Sequence, residues 1–307
     1  MSLKVKPQQH SIRQRLLNLS RQRNEDFQFC LTMYALERFL YRLSKSRHSE
    51  HFVLKGALLL MAWTDQAYRP TKDFDMLGFG ESTPDILKRS IAEICHTEVE
   101  SDGLSFDVTG IEVTEIREGQ GYQGERIRMM AALGNARIPL QIDIAFGDAI
   151  TPSIEEIEYP ALLKMPVARI RAYPKETVVA EKTEAAVRLD MQNSRMKDLF
   201  GLLWLSRLFP FEGALLVKAI RATFDRRKTE LPAELPLFLS NTFAFDQSKQ
   251  TQWRAFLKKS SISSIPEELN TVISELNSFL APPLQYATND EPFASHWVPR
   301  GPWVSNP

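Results

Sequence analysis

Two hydrophobic periods alternate along this chain. Over residues 11–23, Ile12, Leu16, Leu17 and Leu19 recur at roughly helical spacing. A second helix is expected from Asn24-Glu25-Asp26 to Ser44, where Phe29, Leu31, Met33, Tyr34, Leu36, Phe39, Leu40 and Leu43 make a wide apolar stripe. Phe52-Val53-Leu54-Lys55-Gly56 then reads as a short strand ending at a glycine, with a helix over 57–63. Another strand is expected over 73–79 and a helix over 84–95. Residues 106–116 alternate imperfectly, as a strand bulged at Gly110 would. Strands over 126–133 and 138–146 flank Gly134-Asn135, a dipeptide that favours a hairpin turn.

After Asp148 the character changes. Residues 154–165 are punctuated by prolines, 168–173 form one more short strand, and helices dominate from Glu176 onward. Helices are expected over 176–190, 195–207, 212–227, 248–259 and 266–280, with Asn193 or Ser194 capping the second. The tail from Pro282 has no helical period and is expected to lie as an extended strap. These patterns predict an α+β fold: N-terminal helices (1–50), a mixed-sheet core (51–174), a helical lobe (175–281) and an extended tail (282–307). No internal repeat is visible.

Composition narrows the partners. The 307 residues are 43% hydrophobic and 25% charged, which is ordinary for a globular protein. Lys plus Arg equals Asp plus Glu at 38 each, so any nucleic-acid contact must come from a local patch. Candidates are Arg13, Arg15, Arg21 and Arg23 on the first helix, and Arg221, Arg226, Arg227 and Lys228 on the lobe. Two cysteines, Cys30 and Cys95, lack metal-ligand neighbours and read as buried thiols in a reducing compartment. The N-terminal residues lack a signal-peptide core, and no window holds eighteen consecutive apolar residues. A cytoplasmic location without membrane contact is the expectation.

The chemistry concentrates in Arg69-Pro-Thr-Lys-Asp-Phe-Asp-Met-Leu77. On a strand, Asp73 and Asp75 project to one face, and Thr71 shares it. Phe74 and Met76 point the other way. Adjacent carboxylates repel unless something positive lies between them, and a divalent cation is the usual solution. Upstream, Lys55-Gly56-Ala57 makes a strand–glycine–helix start, whose backbone N–H groups suit phosphate. Downstream, Asp143 alternates with Ile142 and Ile144 as a third acid on a sheet, or as a residue paired with Arg128 or Arg137.

This order of elements resembles the polymerase-beta type of nucleotidyltransferase. The runs Tyr173-Pro-Lys-Glu-Thr-Val-Val-Ala-Glu-Lys182 and Asn193-Ser-Arg-Met-Lys-Asp-Leu199 sharpen this to a resemblance to the AbiEii/AbiGii family of nucleotidyltransferase toxins. The resemblance covers about residues 11–208. It implies a polymerase-beta-like core, with Mg²⁺ or Mn²⁺ held by Asp73, Asp75 and Asp143. It also implies catalytic roles for Asp73, Asp75, Lys182 and Asp198, and nucleotide contacts from Lys55, Gly56, Ala57, Thr71 and Lys197. An NTP donor, an RNA acceptor such as the tRNA 3′ end, and a cognate antitoxin follow from the same resemblance. Ala57 departs from the superfamily, which usually has Gly or Ser there, so no hydroxyl contact is expected from it. A protein or small-molecule acceptor, or a silent NTP-binding module, stays open on the residues alone. So does a surface Lys182 beside an Arg195–Asp198 helical pair.

Overall fold

A computed structural model describes residues 7–64, 74–81, 83–117, 123–260 and 265–305. Thr71 and Asp73 lie outside them. The chain divides into two compact units, Met1–Gly147 with Glu155–Ala172, and Asp148–Ile154 with Tyr173–Pro307.

In the first unit, α1 (Pro7–Gln22) precedes α2 (Phe27–Lys45), which is capped by Asp26 accepting from the Phe29 N–H at 2.8 Å. The apolar stripe foreseen for α2 understates its burial, since every residue from Cys30 to Leu43 is buried. Its charged residues pair inside the unit, though Glu37 Oε1, Arg38 Nε and Arg42 Nε find no hydrogen-bond partner among the described residues. Arg42 forks onto Asp102 at 2.5 and 3.1 Å, and the Leu162 N–H donates to Glu37 at 2.7 Å. Such pairing makes a buried charge tolerable.

Beyond α2 come β1 (Phe52–Lys55), α3 (Gly56–Ala62), β2 (Phe74–Gly78), α4 (Pro84–His96), β3 (Leu104–Arg117), β4 (Gln123–Leu133), β5 (Ala136–Phe146), β6 (Glu155–Tyr159) and β7 (Ala168–Ala172). Among the described residues they form a mixed sheet in the order β3-β4-β5-β2-β1-β7-β6. β2 runs parallel to β5 and antiparallel to β1, so non-consecutive segments meet at its centre. The foreseen bulge is present, with the β3 register shifting between Asp107 and Glu112. β6 lies in the proline-punctuated stretch, where the sequence pattern names no strand. It pairs antiparallel with β7, and its Glu-Glu-Ile-Glu-Tyr sequence is mostly exposed and carries little apolar period.

Alternation across β4 and β5 separates two faces. Ile127, Met129, Ala131 and Leu133, with Ile138, Leu140, Ile142 and Ile144, are buried. The opposite face carries Arg126, Arg128, Arg137, Gln141 and Asp143, each half-buried or exposed.

The second unit holds α5 (Lys175–Leu189), α6 (Met196–Leu208), β8 (Phe211–Glu212), α7 (Gly213–Arg227), α8 (Asn241–Ala244), α9 (Gln247–Ser260), α10 (Leu269–Asn289), β9 (Ser295–Trp297) and β10 (Trp303–Ser305). The tail is not a strap. α10 runs through Pro282 and Pro283, and β10 and β9 pair onto β8. An interior proline costs a helix about 3 kcal/mol. Here Leu276, Phe279, Leu280, Pro283, Leu284 and Ala287 continue the buried face and offset that cost. Trp297 and Trp303 then pack on Phe279 at 4.9 and 6.1 Å between centroids. Their indole N–H groups donate to the Ser206 and Phe279 carbonyls.

Cys30 and Cys95 are buried free thiols. No helix among the described residues is long and apolar enough to cross a membrane.

Candidate active site

The sheet of the first unit places the acids by register. Asp75 on β2 lies opposite Asp143 on β5, although 68 positions separate them in the chain. Directly opposed residues of neighbouring strands share a face, so the two carboxylates are neighbours. On the far side of Asp75 the partner is Lys55 of β1, and on the far side of Asp143 it is Arg126 of β4. One cross-strand row therefore reads Lys55, Asp75, Asp143, Arg126: cation, two acids, cation.

Gly56 follows Lys55 at the start of α3, with φ +73°. That backbone is costly for any residue with a Cβ. A second constraint is steric, because a Cβ there would lie 2.1 Å from Asp75 Oδ2. The Asp75 carboxylate thus sits directly against the backbone at the helix start, where negative charge is favoured. Lys55 is buried and Ala57 half-buried.

Asp143 has a different partner from either arginine considered for it. Arg126 grips it with a fork, Nε to Oδ1 at 2.8 Å and Nη2 to Oδ2 at 2.7 Å. Arg128 instead faces Gln141, and Arg137 faces Ala132. The sequence held a signal for this. A two-residue Gly134-Asn135 loop fixes the register of β4 and β5, and counting back equally from it brings residue 126 opposite 143.

A divalent cation suits this donor set. The donors are hard carboxylate oxygens, and Mg²⁺ is usually held by one or two carboxylates together with substrate phosphates. Among the described residues no group of three or more His, Cys, Asp or Glu side chains is arranged to hold a metal. Asp75 and Asp143 would supply the protein's share there, with Asp73 outside the described residues.

The second unit brings Lys182 and Asp198 together. Lys182 Nζ lies 2.7 Å from Asp198 Oδ1, and Arg195 Nε lies 2.6 Å from Oδ2. The helical Arg195–Asp198 pair is therefore present, but Lys182 joins it instead of standing apart on the surface. Burial by itself pushes the Asp198 carboxyl up. The charges and hydrogen bonds of Lys182 and Arg195 override that and hold it at about 2. Arg195, not Asn193 or Ser194, is the N-cap residue of α6. Asn193 Oδ1 instead accepts from the Arg195 N–H one turn earlier, at 2.8 Å. Lys197 points to solvent.

Next to Lys182 on α5, Glu181 belongs to a cluster that sequence reasoning missed. Arg227 of α7 lies 3.5 Å from Asp148, 3.2 Å from Glu181 and 2.8 Å from Glu184. The Tyr173 hydroxyl reaches Asp148 and Glu181 at 3.5 and 3.3 Å. Residues 79 positions apart meet here with no local pattern to announce it. The lobe's basic run is reduced accordingly, because Arg221 is also held by Asp290 and the Tyr286 and Ala287 carbonyls. Arg13, Arg15 and Arg21 of α1, and Arg23 just after it, are all exposed.

No curated protein matches the chain. Two solved structures from Helicobacter pylori align with it at 15% identity. JHP933 aligns at a TM-score of 0.46, covering 83% of this chain and 91% of its own. A chain provisionally described as a nucleotidyltransferase aligns at 0.44, covering 83% and 94%. The model of the nucleotidyl transferase AbiEii toxin family, of type IV toxin–antitoxin systems, matches residues 38–275. That span includes both acids of the sheet row and the Lys182–Asp198 pair, and the chain belongs to this family of nucleotidyltransferase toxins.

Proposed function

We propose that the protein transfers a nucleotide from an NTP to an RNA acceptor, the tRNA 3′ end in particular, in a reaction that depends on a divalent cation. The observation that carries this reading is the in-register neighbourhood of Asp75 and Asp143. When bound, the cation would neutralise triphosphate charge and sharpen the attacking hydroxyl. Asp73, Asp75 and Asp143 hold it, and Lys55, Gly56 and Ala57 face the phosphates. Gly56 keeps the α3 backbone close to the Asp75 carboxylate. Thr71 supports the Asp73–Asp75 strand, Lys182 takes up phosphate charge, and Asp198 keeps Lys182 in place. Lys197 contributes from the exposed side of α6.

The exposed arginines of α1 support an RNA acceptor, since net charge is zero and attraction must be local. As a member of a toxin family, the chain works against a cognate antitoxin inside the cell that makes both. The experiment is incubation with tRNA and each labelled NTP in Mg²⁺, with an EDTA control. Labelled tRNA that vanishes in EDTA is the expected result. Labelling that survives EDTA would overturn the metal dependence. A protein or small molecule labelled instead of RNA would overturn the acceptor.

A further inference from the structure

The acids of the sheet row already have a cation at one end. Arg126 occupies both oxygens of Asp143 at 2.8 and 2.7 Å, across the open end of the carboxylate. A metal ion held by that carboxylate competes for the same end, because the guanidinium fork and a bidentate cation use matching geometry. Among its described residues the row is balanced in formal charge, with Lys55 and Arg126 against Asp75 and Asp143. A bare divalent cation would add two positive charges to this described row and would take from Arg126 the fork acceptor it holds in Asp143. A triphosphate removes both objections. It brings the compensating negative charge, and its oxygens offer Arg126 a fork acceptor equivalent to the one it gives up.

We propose that Arg126 closes the acid pair to free divalent cations, so that the cation enters together with the nucleoside triphosphate as Arg126 passes from Asp143 to phosphate. This rests on the metal-dependent reading above and adds to it an order of binding and a residue that sets it. Arg126 is a positioning residue in the empty protein and a phosphate contact in the loaded one.

The test is titration with Mn²⁺, followed by the electron paramagnetic resonance of the unbound ion, and needs no turnover. Wild-type protein should bind Mn²⁺ alone weakly, and much more tightly with a non-hydrolysable NTP analogue. Arg126→Ala should bind Mn²⁺ alone roughly ten-fold or more tightly than wild type, the worth of one charge-assisted hydrogen bond. Arg126→Ala/Asp143→Ala should lose that gain, which localises it to Asp143. Arg126→Gln, which keeps the bulk of the side chain, carries the same expectation should the alanine variant fail to fold. Equal Mn²⁺ affinity of the wild type with and without the analogue would overturn the proposal. So would an Arg126→Ala protein that binds free Mn²⁺ no more tightly than wild type while EDTA still stops transfer. Transfer that persists in EDTA would instead overturn the metal reading itself, and this inference with it.

Discussion

The sheet row of the first unit and the Lys182–Asp198 cluster of the second are wired differently. On the sheet of the first unit, two acids are neighbours and their cations stand outside them, so the centre of the row is negative. In the second unit a single acid, Asp198, stands between Lys182 and Arg195, and each of its oxygens is taken at 2.7 or 2.6 Å. Asp143 too has both oxygens taken, by Arg126 at 2.8 and 2.7 Å, but only the row holds two acids side by side, and their repulsion favours a ligand that adds positive charge between them. An acid flanked by two cations is satisfied as it stands. The first arrangement is the one proposed above to bind a cation, whereas the second holds Lys182 against Asp198.

The largest expected effect tests the first half of that contrast. Asp75→Ala should reduce transfer by roughly 10²–10³-fold or more, the scale of losing a group that stabilises transition-state charge. Its thermal midpoint should fall by less than that of Asp198→Ala, because relief of the repulsion from Asp143 offsets the loss of the acid facing Lys55. A drop of many degrees in a melting scan would mean that Asp75 is structural after all.

Asp198→Ala should do the reverse and show first in stability. Removing one partner of a buried ion pair strands the others, at about 3 kcal/mol. Asp198→Asn, which keeps the shape without the charge, should recover only part of it. Denaturant unfolding of both variants separates the two cases, and an unchanged midpoint for Asp198→Ala would show that this pairing adds no stability.

Gly56→Ala joins the two measures in one residue. A left-handed backbone with a Cβ costs about 1–2 kcal/mol, and the carboxylate 2.1 Å from that Cβ has to move. Stability and transfer should therefore fall together, unlike in Asp75→Ala. Transfer at the wild-type rate would show that the close approach of α3 to Asp75 is dispensable.

The last effect is in the pH dependence of stability. Asp198 is held at about 2, below its ordinary 3.8. Its contribution is complete above 3.8 and is lost as pH falls towards 2, about 2 kcal/mol in all. Glu37 in the first unit behaves oppositely. Burial outweighs Arg38 and the Leu162 N–H and pushes its carboxyl from 4.5 up to about 7. Between those values the folded protein keeps a proton that the unfolded chain has released, so stability falls as pH rises through that window. Unfolding midpoints should therefore peak in mildly acidic solution, and Glu37→Gln should flatten the upper side. A wild-type profile flat from pH 4.5 to 7 would count against the buried carboxyl.

What was legible in the sequence was what neighbours along the chain decide. Period two and period 3.6 separated the sheet from the helical lobe, Gly134-Asn135 marked a hairpin, and Gly56 marked a strand-to-helix turn. Lys182 and Asp198 were named from the family resemblance of the runs that contain them, and the structure pairs the two side chains. Some elements were misread because local and tertiary preferences disagree there. Pro282 and Pro283 argued for a strap, yet burial of the α10 face and packing against Trp297 and Trp303 outweighed them. The apolar stripe expected for α2 did not include Glu37, Arg38 and Arg42, yet they too are buried and find partners on distant segments.

The sequence by itself determined which residues could carry charge chemistry and which face of a strand they share, because side-chain direction follows from backbone period. Only the tertiary structure decided who stands beside whom. Strand order placed Asp143 beside Asp75 and Arg126 beyond it, and helix packing brought Arg227 to Asp148, Glu181 and Glu184. Those pairings join segments with no shared period, and Coulomb energies depend on the distances between them, which the order of residues does not specify.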